Sequence, residues 1–146
     1  VVDFTQSDNM RIEAGDLHRA APEPRYDVLK LGVTWDKKTL DARIDERLER
    51  RMREGMVDEA RGLLEAGCPR EFLYKLGLEY RFLCRLLDGE FASEEQMCQE
   101  LARAIKQFAR RQMTWFRRDK TIHWLDMTQN PVEEALEKID AFLGCI

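Results

Sequence analysis

The chain has 146 residues, 44% of them hydrophobic and 36% charged, with a formal net charge of −4. That length suits one domain, and no apolar run approaches the 18 residues of a membrane span. No low-complexity, collagen-like or signal-peptide pattern is present either.

The first 25 residues mix polar side chains with Pro22 and Pro24 and hold no lasting period. They read as an irregular arm or linker, with a helical turn near Gly15 to Ala20. The chain opens on Val1 rather than Met, which is expected of a processed start or of a piece cut from something longer. Residues 26–146 read as one helical region. Val28 to Trp35 is dominated by β-branched and apolar residues and predicts a strand. Gly32 within it marks a close backbone approach.

Helical spacing then takes over. Leu40, Ile44, Leu48 and Met52 recur every four residues on one face, and Gly55 ends the run. Met56 to Ala66 forms a second helix stopped by Gly67. Pro69 to Leu76 and Leu78 to Leu87 form two more, separated by Gly77. Ser93 and Gln96 make a capping box that opens the longest helix. Its stripe of Met97, Leu101, Ala104, Ile105, Phe108 and Trp115 runs to Phe116, a length of about 36 Å at 1.5 Å per residue. On that stripe Trp115 is expected in the core, in preference to stacking on a base. Thr121 to Leu125 predicts a second short strand, and Asn130-Pro131 opens a last helix. The expected fold class is mainly α with two short strands. Two lone strands make a weak sheet, so they read as parts of a larger α/β sheet.

Charge is unevenly spread. Leu101 to Arg118 holds Arg103, Lys106, Arg110, Arg111, Arg117 and Arg118 and no acid, while the remainder is correspondingly acidic. Arg103, Lys106, Arg110, Thr114 and Arg117 fall within an arc of about 80° at 3.6 residues per turn. Such a ridge can follow phosphates, with Gln112 and Thr114 as hydrogen-bonding groups and Trp115 and Phe116 as flat surfaces for bases. The competing reading is a solvated face paired with Glu90, Glu94, Glu95 and Glu100. On the first helix Arg43 and Arg47 share a face and could clamp a diphosphate. Spacing alone favours the competing reading, an ordinary salt-bridged helix paired with Asp41, Asp45, Glu46 and Glu49.

Catalytic motifs are missing. There is no GxxxxGK[ST], GxSxG or HExxH, and the spacing of Cys68, Cys84, Cys98 and Cys145 suits buried thiols rather than a metal site.

Gln107-Phe-Ala-Arg-Arg-Gln-Met-Thr-Trp-Phe-Arg117 resembles the Tyr-Ala-Lys-Arg-Gln-x-Thr-Trp-Phe-Arg signature of the tRNA dimethylallyltransferase (isopentenyltransferase) family. Further pieces follow in that family's order. Arg43-Ile-Asp-Glu-Arg47 matches its RIxxR helix, and Gly55-Met-Val-Asp-Glu-Ala matches a glycine turn. Gly77-Leu-Glu-Tyr80 is similar to a variant of the commoner Gly-Tyr-Lys-Glu, and Ile122-His-Trp-Leu-Asp126 matches the closing strand.

The resemblance covers residues 26 to 143 and corresponds to the family's C-terminal half. It implies the C-terminal part of a P-loop-type α/β fold without the phosphate-loop half. The implied reaction moves a dimethylallyl group from dimethylallyl diphosphate to N6 of the adenine 3′ to the anticodon. Mg2+ would assist, with its ligands in the other half. Arg47, and more weakly Arg43, would meet the diphosphate. Arg110, Arg111, Gln112, Thr114, Trp115, Arg117 and the backbone at Leu76, Gly77 and Leu78 would meet the anticodon stem-loop. Three departures in and before the signature, at Ile105-Lys106, Phe108 and Arg110, largely keep bulk or charge. Leu78 replaces the usual tyrosine and weakens any stacking role there. A cytoplasmic monomer is expected, and this chain alone is expected to be inactive. The alternatives are a stand-alone RNA-binding helical module and a helical interaction protein with a merely solvated charged face.

Overall fold

The computed structural model describes residues 26–144; the arm expected over residues 1–25 lies outside the described residues. The elements in chain order are β1 (Lys30–Thr34), α1 (Lys37–Arg53), α2 (Met56–Glu65), α3 (Arg70–Leu76), α4 (Leu78–Leu87), α5 (Glu94–Phe116), β2 (Ile122–Asp126) and α6 (Pro131–Gly144). This is the mainly helical architecture with two short strands that the periodicities predict.

Local chemistry explains the boundaries. The Asp36 carboxylate accepts from the Thr39 N–H at 3.0 Å and starts α1, satisfying one of a helix's orphan donors. Ser93 Oγ accepts from the Gln96 N–H at 3.1 Å. Gln96 returns a bond to the Ala92 N–H at 2.9 Å, so the capping box closes one residue earlier than its usual form. Gly55 adopts φ 91° between α1 and α2, and Gly77 adopts φ 142° and ψ −170° between α3 and α4. The second conformation belongs essentially to glycine, so the α3–α4 corner depends on Gly77.

The core lies among the helices. Leu48 of α1, Met56, Val57 and Ala60 of α2, Phe82 and Leu83 of α4, Phe91, and Met97 and Leu101 of α5 form one buried cluster. Phe82 and Phe91 stack with centroids 5.9 Å apart. Only the first half of α5 joins this core. Past Ile105 its stripe emerges: Phe108 is exposed, and Trp115 is 65% exposed. The expectation of a core Trp115 is therefore overturned, because among the described residues no helix covers the second half of α5 on that side.

The two strands pair with each other, parallel, in the register Lys30↔Ile122, Gly32↔Trp124 and Thr34↔Asp126. All of α1 to α5 forms the crossover between them. Among the described residues the sheet has two strands only, so both outer edges are unpaired. Parallel sheets normally have both faces covered; here α6 packs on β2, while Val33 stays exposed. Gly32 does mark a close approach: a Cβ there would lie 2.7 Å from Ile122 Cγ2 and 2.8 Å from the Trp124 ring. No helix among the described residues is long and apolar enough to cross a membrane.

Candidate nucleic-acid and diphosphate sites

The second half of α5, β1 and the start of α1 enclose an open groove of about 1340 Å³. Arg110, Gln112, Thr114 and Arg117 line one wall, with Trp35, Leu40 and Trp124 among the residues opposite. The groove thus gathers four of the six residues of α5 and its C-cap expected to meet RNA. Arg111 is exposed outside it, and Trp115 borders a smaller hollow with Lys30, Arg118 and Asp119. Trp115 meets Phe116 edge to face at 5.1 Å.

The basic ridge is not uniform. Lys106 is tied to Asp45 of α1 at 2.6 Å and has a largely buried side chain, so it serves the α1–α5 contact. Thr114 donates its hydroxyl to the Arg110 carbonyl at 3.0 Å, which turns that hydroxyl toward its own helix. Among the described residues Arg103, Arg110, Arg111, Arg117 and Arg118 have no carboxylate within 4.0 Å. The expected alternative, pairing with Glu90, Glu94, Glu95 and Glu100, is not what the structure shows. Five unpaired guanidinium groups in an acid-free stretch make a local positive field on a net negative chain.

Arg43 and Arg47 diverge although they share a helix face. Arg43 lies 4.6 Å from the Trp35 ring centroid in a cation–π contact. Arg47 instead points to α4, where its Nη2 lies 3.5 Å from Glu79 Oε1. The two do not form the shared clamp that the i, i+4 spacing allows. Of the carboxylates expected to pair along α1, only Glu49 holds an arginine among the described residues, Arg53 at 3.9 Å.

At the α3–α4 corner Leu76 is exposed, while Leu78 is half-buried against the core. A Cβ added at Gly77 would meet nothing within 4 Å, so that corner is open to a ligand's approach. Neither the corner nor Arg43 and Arg47 borders the groove. The expected site residues therefore do not form one cluster: one group lies on α5, Arg47 and the Gly77 corner lie toward α4, and Arg43 stands apart on Trp35.

Sequence reasoning missed the pairing of residues that joins α1, α2 and α4. Arg51 Nη1 lies 3.4 Å from Glu79 Oε2 and Arg51 Nη2 lies 3.7 Å from Glu59. The Tyr80 hydroxyl donates to Glu59, and this bond to a carboxylate raises the Tyr80 pKa above its usual value. Long-range pairs of this kind leave no periodic signal. Of the four cysteines read as buried thiols, Cys84 is buried, and burial raises its thiol pKa; Cys68 and Cys98 are only half-buried, and Cys145 lies outside the described residues.

Helices connecting a parallel strand pair, with arginines of α5 lining an open groove beside it, define a mainly helical α/β arrangement. The comparisons make this specific. Residues 5–119 match the family described as IPP transferase, and the chain belongs to that family. It is 44% identical over 111 residues to the tRNA dimethylallyltransferase of Geobacter metallireducens, covering 76% of this chain and 35% of that protein. It is 43% identical over 125 residues to tRNA dimethylallyltransferase 2 of Porphyromonas gingivalis, covering 83% and 41%. The crystal structure of the full-length tRNA isopentenylpyrophosphate transferase of Bacillus halodurans matches with a TM-score of 0.69 at 27% identity, over 84% of this chain and 40% of that one. The corresponding transferase of Staphylococcus epidermidis gives a TM-score of 0.68 at 25% identity, over 82% and 38%. The chain thus spans well under half the length of each.

Proposed function

We propose that this chain, from residue 26 onward, is the C-terminal region of a tRNA dimethylallyltransferase with a P-loop-type fold, acting as a monomer in the cytoplasm. The complete enzyme transfers a dimethylallyl group from dimethylallyl diphosphate to N6 of the adenine 3′ to the anticodon. The observation that carries this reading is the arginine face of α5, without a carboxylate partner among the described residues, in a chain of this family. Arg110, Gln112, Thr114 and Arg117 in the groove, with Arg111 and Trp115 beside it, hold the anticodon stem-loop. The open backbone at Leu76, Gly77 and Leu78 adds a second contact. Phosphate contacts supply affinity and register, and an exposed indole supplies a stacking surface.

In the transfer, the adenine N6 lone pair forms a bond to C1 of the dimethylallyl group. The C1–O bond breaks, its electrons leave with the diphosphate, and the N6 proton passes to a general base that the family likeness places in the phosphate-loop half. Negative charge grows on the departing oxygen. Arg47, exposed and loosely held, is the residue of this chain that meets it, because a guanidinium gains most where charge develops. Arg43, engaged by Trp35, is the weaker candidate. The Mg2+ implied by the family likeness finds no cradle here: no three His, Cys, Asp or Glu side chains gather to hold a metal ion among the described residues. Its ligands are assigned to the phosphate-loop half.

The test is dimethylallyl transfer to tRNA by the complete enzyme with Arg47→Ala. The expected rate loss is about 10²–10³-fold, as for other donors aimed at developing charge, with tRNA affinity little changed. A rate within twofold of wild type removes Arg47 from the reaction.

A further inference from the structure

We propose that Glu79 is a positioning residue for Arg47, and that Arg51 fixes Glu79 for that task. The inference rests on the reading of Arg47 as the diphosphate-facing arginine. Arg47 projects from the middle of α1 with a side chain 62% exposed. A long exposed arginine samples many rotamers, and a group that must meet a leaving oxygen works best when its direction is set beforehand. Among the described residues Glu79 is the one carboxylate within 4.0 Å of it.

Glu79 is itself well fixed. It sits in the first turn of α4, where the helix dipole favours a carboxylate. Its side chain is 25% exposed, and its second oxygen faces Arg51 at 3.4 Å. Arg51, 29% exposed, also faces Glu59 at 3.7 Å, and Glu59 accepts the Tyr80 hydroxyl. Charges alternate along this chain from Tyr80 outward. Each inner charged member has two partners, while Arg47, at the exposed end, has one.

The outer contact suits a guide rather than a lock. At 3.5 Å it is at the long limit of a hydrogen bond, and it engages Nη2, leaving Nη1 and Nε for an incoming phosphate. A carboxylate beside an anionic substrate also opposes binding by like charge. Glu79 therefore improves the orientation of Arg47 without tightening the substrate.

The test combines two readouts on Glu79→Gln, which keeps the side chain's size and removes its charge. In the 146-residue chain, the side-chain Nε–Hε order parameter of Arg47, measured by NMR, is expected to fall. In the complete enzyme kcat is expected to fall about tenfold, less than the roughly 10²-fold of a 1 Å misplacement because Glu79 only biases the direction of Arg47, while KM for dimethylallyl diphosphate does not rise. A loss of folded enzyme would lower apparent kcat in the same way, so kcat is taken per folded enzyme with Tm measured beside it, and the fall in Arg47 order is the readout that a simple stability defect does not produce. Should Glu79→Gln fail to fold, Glu79→Asp retains the charge and withdraws the carboxylate by one methylene, and the same fall in Arg47 order is expected. Unchanged Arg47 order, or kcat within twofold of wild type while Arg47→Ala is slow, overturns the positioning role. If Arg47→Ala itself keeps its rate, the reading of Arg47 fails and takes this inference with it.

Discussion

Trp115 stands largely in solvent at the last turn of α5, with Phe116 as its aromatic partner. Trp115→Ala should therefore cost about 1 kcal/mol of stability or less, the scale of an exposed aromatic pair, rather than the about 3–5 kcal/mol of a core tryptophan. If the indole stacks on RNA, the same change should weaken stem-loop binding by about 1–3 kcal/mol with little effect on salt dependence. A melt beside a binding titration reads both, and a large drop in Tm would return Trp115 to the core. Asp119 makes a different kind of prediction. Its carboxylate accepts from the Lys30 ammonium at 2.7 Å and from the Thr121 hydroxyl and N–H. These bonds, with Lys30 the first cause, hold its pKa well below the usual carboxylate range. A folded-state pKa below the unfolded one gives stability that is full above about pH 4 and is lost as pH falls toward the folded value. Asp119→Asn should accordingly lower Tm at pH 7, and its deficit against wild type should shrink as the pH is taken from 5 to 2. A deficit independent of pH would show that the ionised pair contributes nothing.

At the scale of elements, the strand pair is the most tightly specified contact outside the helical core. Gly32 sits opposite Trp124 in the register, and its missing side chain is what lets the two strands and the Trp124 ring coexist. Backbone conformation is not the issue there; space is. Gly32→Ala should destabilise the protein by about 1–3 kcal/mol through overpacking, visible as a lower denaturant midpoint, with helix content retained because the core cluster lies elsewhere. A variant as stable as wild type would mean that Trp124 swings aside freely. The same logic divides α5. Its first half is a core helix through Met97 and Leu101, and its second half carries an arginine face with no carboxylate partner among the described residues.

For the whole molecule, the distribution of charge matters more than its sum. A chain of net charge −4 should repel RNA at long range, yet α5 presents a concentrated positive face. Replacing Arg110, Arg111 and Arg117 together with alanine should weaken binding to different RNA sequences about equally. Each lost phosphate contact should lower the slope of log affinity against log salt by about 0.7–0.9. Affinity and slope both unchanged in a titration from low to moderate salt would reduce this face to a solvated surface.

The existence and order of the elements were legible in the sequence because they rest on local signals: the four-residue apolar steps of α1, the Ser93–Gln96 cap, the glycine stops at Gly55 and Gly77, and the β-branched run ending at Thr34. The family was legible in the motif from Gln107 to Arg117 for a related reason, since a contiguous signature needs no tertiary information. Which side of α5 is covered was not legible. The apolar stripe continues to Trp115 whether or not another helix lies over it, and only the packed structure shows that the covering ends near Ile105. The fates of Arg43, Arg47 and Lys106 were likewise decided by tertiary contacts. Trp35, Glu79 and Asp45 reach them from other elements or across a loop, and such partners depend on how α1, α4, α5 and β1 are placed against one another. Helical spacing fixes which residues share a face; only packing fixes what that face meets.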